Sequence, residues 1–105
     1  MTKGKQGSRR ARKRVEVRYG LEEPRFIGYS GNVSKSGIMV RAVRVFPPGS
    51  VLNLELKLHD GAVVRARGVV VWARAGSPQW VTTGRIGMGV TFIEPPQELL
   101  DHLDK

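Results

Sequence analysis

Five cations crowd residues 9–14, namely Arg9, Arg10, Arg12, Lys13 and Arg14, and eighteen residues after the last of them a polar turn reads Asn32-Val33-Ser34-Lys35-Ser36-Gly37. A guanidinium fork donates paired hydrogen bonds to phosphate oxygens or to the O6/N7 edge of guanine, while an Asn or Asp oxygen accepts from the opposite edge of the same base. Arg10 and Arg14 are spaced as Arg-x-x-x-Arg. The turn supplies the Asn32 amide, the Ser34 and Ser36 hydroxyls and the Lys35 ammonium, and Gly31 and Gly37 let backbone come close to a partner. Together these residue types describe a site for guanine and phosphate. Each also has a plain structural use: a solvated basic tail for the arginines, side-chain-to-backbone turns for Asn32 and Ser34, and positive φ at a strand entrance for Gly37.

In this order the residues resemble the PilZ domain family, whose pattern is Arg-x-x-x-Arg, a spacer, then Asp/Asn-x-Ser-x-x-Gly. Here it reads Arg10 to Arg14, then Asn32 to Gly37. The resemblance implies a small bacterial β-barrel that binds the second messenger cyclic di-GMP through Arg9, Arg10, Arg14, Asn32, Ser34 and Gly37. Lys35, Ser36, Trp72 and Gly87 are secondary candidates. In the family the residue before the first arginine influences whether one ligand or a stacked pair is held, and Arg9 in that place favours two molecules per chain. The family's commoner Asp is Asn32 here, one negative charge fewer, and weaker binding is expected. The implied mechanism is ordering of the arginine arm by the ligand, read by a protein partner, with no cofactor.

Composition narrows the alternatives. A chain of 105 residues is expected to be one domain. With no cysteine there is no disulfide, thiolate metal site or cysteine nucleophile. His59 and His102 have no metal-ligand spacing and read as surface histidines. The acids are scattered, no triad order is present, and an enzyme is not expected. The longest apolar run, residues 69–73, is too short to span a bilayer, so no membrane insertion and a cytoplasmic location are expected. Seven of the nine net positive charges lie in residues 1–14. Such an arm attracts polyanions, which keeps open an RNA-binding or single-stranded-DNA-binding barrel, although 7% aromatic residues offer few stacking platforms. A ligand-free interaction module is the other rival.

The elements that must position these groups are strands. Residues 1–8 read as a flexible tail and 9–105 as the domain. Val15, Val17 and Tyr19 alternate with polar residues; a second strand covers residues 25–29 with Phe26 inward, and Ile38, Val40 and Ala42 mark a third. Leu52, Leu54, Leu56 and Leu58 give a period-two fourth strand, Asp60-Gly61 a hairpin, and residues 63–74 the return, with a bulge expected at Gly68. Trp72 reads as core or barrel rim, with a stacking platform as the alternative, and Trp80 as an exposed loop residue. In the last strand, residues 85–93, Ile86, Met88, Val90 and Phe92 share the inner face. Gly87 and Gly89 leave the outer face bare, either for close approach of the arm or for coiling of a neighbouring strand. Pro95-Pro96 opens a short C-terminal helix carrying Leu99, Leu100 and Leu103. The expected fold is all-β, a small six-stranded antiparallel barrel with that helix and a disordered basic N-terminal arm.

Overall fold

A computed structural model describes residues 15–30, 32–58, 60–81 and 86–103. The expectations for Arg9, Arg10, Arg14, Gly31, His59 and Arg85 lie outside the described residues. Six strands form in chain order: β1 Val15–Gly20, β2 Phe26–Ser30, β3 Gly37–Val40, β4 Val51–Lys57, β5 Val63–Arg74 and β6 Gly87–Ile93. They make one sheet in the order β2-β1-β4-β5-β6-β3, every pair antiparallel.

The period-two alternation decides which side faces in. Val17, Tyr19, Leu52, Leu54, Leu56, Val40, Val70 and Met88 are all buried in a single core. The two outer strands of the sheet, β2 and β3, meet through one bridge: the Arg41 N–H donates to the Tyr29 carbonyl at 2.7 Å and the Tyr29 N–H to the Arg41 carbonyl at 3.0 Å. This bridge curls the sheet towards a barrel and pairs backbone groups that an open edge would leave exposed. Asp60-Gly61 forms the expected hairpin, with Gly61 at φ +92° and the Asp60 Oδ1 accepting from the Ala62 N–H at 3.0 Å.

One end of the barrel is closed by Tyr19, Phe26 and Phe46, with ring centroids 5.8–6.1 Å apart. Phe26 is only half-buried, and the Arg44 guanidinium lies over it at 4.8 Å and over Phe46 at 5.2 Å. The Tyr19 hydroxyl donates to the Arg44 carbonyl. Burial pushes its pKa up to about 12, against a smaller opposing pull from the Arg44 charge. The helix α1, Gln97–Leu103, buries Leu99 completely and lays Leu103 against the core.

Two expectations are corrected. The bulge is at Val71, where the register passes from Val70↔Val90 to Trp72↔Gly89. Gly68 stays in regular pairing with Leu52 and Phe92, because it faces inward and a Cβ there would strike Val90. His102 is not a plain surface histidine. Its Nε2 lies 3.2 Å from the Asp60 carboxylate, a contact that ties α1 to the β4–β5 hairpin, and its Nδ1 lies 3.0 Å from the Glu98 carbonyl within the helix.

Candidate ligand-binding face

The 32–37 turn is a short hairpin tip. Val33 bridges Ile38, the Met39 N–H donates to the Asn32 carbonyl at 3.3 Å, and the Ser34 N–H donates to the Gly37 carbonyl at 2.9 Å. The Ser34 hydroxyl is absorbed by the turn: its Oγ accepts from the N–H groups of Ser36 at 3.3 Å and Gly37 at 3.2 Å. It also stands 3.1 Å from the Ser36 Oγ. The tip is fastened to β6 by a 2.9 Å bond from the Phe92 N–H to the Ser36 carbonyl. Gly37 does not have positive φ; it is glycine because a Cβ would run into the Val90 carbonyl oxygen.

Asn32 is different. Its backbone N–H is met by the Ser30 Oγ at 3.1 Å, but its side-chain amide makes no hydrogen bond to any described residue. The turn-forming role available to both residues therefore falls to Ser34, and Asn32 presents a free acceptor and two free donors on an exposed surface.

Trp72 reaches the same place because of the bulge. Regular alternation from the buried Val70 would send Val71 out and Trp72 into the core. With Val71 as the extra residue, both turn outward, and Trp72 is 40% exposed and Val71 53%. The indole lies over Gly89, where a Cβ would occupy the space of the ring itself. Asn32, Ser34, Ser36, Met39, Trp72 and Gly89 then line an open depression of about 250 Å³. Met39 and Gly89 complete it without having been among the expected ligand residues. Their outward parity is readable in the alternation, but the indole opposite them is not.

Of the remaining candidates, Lys35 is exposed at the tip, and Gly87 lies off the depression, two residues before Gly89 and opposite Arg74. Gly87 has φ +146°, and a Cβ there would strike the Val40 carbonyl, so backbone packing alone demands glycine. Trp80 is exposed on a single 3-10 turn, Pro78–Trp80, and does not line the depression. Val15, the first described residue, pairs with Ser30. Ser30 is also the residue whose hydroxyl holds the Asn32 backbone.

A larger cleft lies elsewhere. About 580 Å³ in volume, it is lined by Glu22, Asn53, Glu55, Arg65, Arg67 and Glu94 among others, with Arg65 and Glu55 paired at 3.4 Å. Three carboxylates make it a poor seat for a phosphate, and chemistry outweighs size in choosing the site. Among the described residues there is no group of three or more potential metal ligands, and no helix is long and apolar enough to cross a membrane.

Comparison with curated proteins and with solved structures returns no match. Comparison with protein-family models returns the PilZ domain over residues 5–105, nearly the whole chain. PilZ domains in general bind cyclic di-GMP, and they are receptor modules rather than enzymes. Six antiparallel strands, a short C-terminal helix and a match of this length lead to one conclusion: the chain belongs to the PilZ domain family.

Proposed function

We propose that this chain is a receptor for cyclic di-GMP, which docks between the 32–37 turn and Trp72 and is covered by the arginine arm. The observation that carries the reading is the unbonded Asn32 amide beside an indole that a bulge has turned outward. The Asn32 oxygen accepts from the N1 and N2 edge of one guanine, and the Trp72 indole gives a base something to stack on, worth about 1–3 kcal/mol. Ser34 keeps the turn in shape, and Ser36 has hydrogen-bonding capacity to spare. Arg10 and Arg14 engage phosphates and the guanine O6/N7 edge, with Arg9 serving a second, stacked molecule.

A depression of about 250 Å³ is smaller than the ~300–1,000 Å³ of pockets that enclose a drug-sized ligand. It is one wall, and the arm attached beside Ser30 is the natural second. Closing the arm consumes binding free energy, covers part of its charge, and changes the surface that a protein partner meets. The output is a contact, with no chemistry performed.

Calorimetric titration of the full chain with cyclic di-GMP, beside cyclic di-AMP and GTP, tests the reading. Saturable binding selective for cyclic di-GMP is expected, with a stoichiometry of two and a large loss in Arg14→Ala. No binding, or equal binding by Arg14→Ala, defeats it. Preference for long RNA, with log affinity falling steeply against log salt and little change in Asn32→Ala, would favour a nucleic-acid-binding barrel instead.

A further inference from the structure

Most described arginines are already engaged. Arg18, Arg25 and Arg65 each have a carboxylate within 3.4 Å, and Arg44 lies over two aromatic rings. Arg41, Arg67 and Arg74 have no ion pair or side-chain hydrogen bond with a described residue. Arg67 sits in the cleft with Glu22, Glu55 and Glu94. The other two stand together on the outer face, on either side of a glycine.

The register places them. Arg74 pairs with Gly87 across β5 and β6, and Val40 pairs with Met88 across β3 and β6. Val40 and Met88 face the core, so their neighbours Arg41 and Gly87 face out, and a Cβ on Gly87 would touch the Arg41 Cα at 3.2 Å. Arg74 follows the outward Trp72 by two residues and shares its side of β5. Two strand spacings put the Cα atoms of Arg41 and Arg74 about 10 Å apart. No side chain rises between them, and arginine side chains are long enough to converge on one anion there. The next row along the strands is Trp72, Gly89 and Met39, the floor of the depression, about 7 Å away.

We propose that Arg41 and Arg74 form an anion subsite over Gly87 that takes a phosphodiester of the dinucleotide docked against Trp72. The proposal rests on the cyclic di-GMP reading and extends it from the turn and the arm to the barrel wall. A base stacked at Trp72 carries its phosphate one row on, where two guanidinium groups that otherwise repel each other gain a shared counter-charge. The bare Gly87 floor lets the phosphate settle between the forks.

Calorimetry on the full chain compares wild type with Arg41→Ala, Arg74→Ala and Arg67→Ala. Loss of either proposed contact weakens cyclic di-GMP binding about tenfold, the size expected of a charge-assisted hydrogen bond. Arg67→Ala removes the same charge from the same strand and leaves affinity within about twofold of wild type, as befits a screened, distant cation. Neither Arg41 nor Arg74 lies in the core, and amide dispersion in NMR spectra confirms that each variant folds. If both variants bind as wild type does while Asn32→Ala is impaired, the subsite is wrong and the receptor reading stands. If wild type does not bind cyclic di-GMP, the receptor reading falls, and pyrophosphate titration followed by NMR decides the subsite alone. Selective shifts of the Gly87 amide and of the Arg41 and Arg74 Nε–H signals, absent in the double alanine variant, support it. No such shifts overturn it.

Discussion

At Asn32 a single atom decides how much the turn contributes. An amide oxygen accepts as a neutral group, whereas the carboxylate common at this place in the family would accept from both guanine N1 and N2 with charge assistance, roughly doubling the strength of each bond. Asn32→Asp is therefore expected to tighten cyclic di-GMP binding by about five- to tenfold, or ~1 kcal/mol, and Asn32→Ala to weaken it, both read by calorimetry. Equal affinity of all three forms would mean that the free amide faces no ligand. Ser34 answers to a different assay. Its hydroxyl closes the turn onto the Ser36 and Gly37 amides, so Ser34→Ala is expected to cost about 0.5–1 kcal/mol of fold stability in urea unfolding as well as affinity.

Among the elements, the β5–β6 pair does the positioning. The extra residue Val71 turns Trp72 out, and Gly89 leaves room for the indole above the strand. A methyl group at that position occupies the same space as the ring, so Gly89→Ala should lift the indole without touching the core. With Trp72 as the sole tryptophan in a Trp80→Phe background, Gly89→Ala is expected to shift its emission to the red and to weaken ligand binding severalfold. Unchanged emission and affinity would show that the ring does not depend on the glycine. The β4–β5 hairpin offers a control unconnected to ligand: Gly61 has φ +92° in open space, and Gly61→Ala should cost about 1–2 kcal/mol of stability with affinity unaltered.

For the molecule as a whole, pH acts through the aromatic end of the barrel. Burial raises the Tyr19 pKa from 10.0 to about 12, so the fold favours the neutral phenol. The resulting stability is fully present below pH 10, the ordinary value for the unfolded chain, and is lost as pH rises through about 12. In a Tyr29→Phe background, which leaves Tyr19 as the only tyrosine, ultraviolet titration should show the phenolate appearing near pH 12. The melting temperature should fall over the same window, and Tyr19→Phe should remove that part of the decline. A phenolate midpoint at the ordinary value would mean that the end of the barrel admits water.

Much of this architecture was legible in the chain itself. The alternation through Leu52, Leu54, Leu56 and Leu58 left those side chains one face to share, and Asp60-Gly61 left the chain one place to reverse, because periods and turn chemistry are local. The outward parity of Met39 and Gly89 was legible for the same reason. What the sequence could not decide was which strands lie beside one another and where a register slips. The bulge came at Val71 instead of Gly68 because Val90 and Leu54 already fill the space around Gly68, a fact of packing between distant segments. That slip sends Trp72 outward to face Asn32, and the pairing of β6 with both β3 and β5 brings Arg41 and Arg74 to either side of Gly87. Residue types and spacing determined the strands and the chemistry on offer; only the assembled sheet decided which groups meet, since contacts between strands depend on register and not on order along the chain.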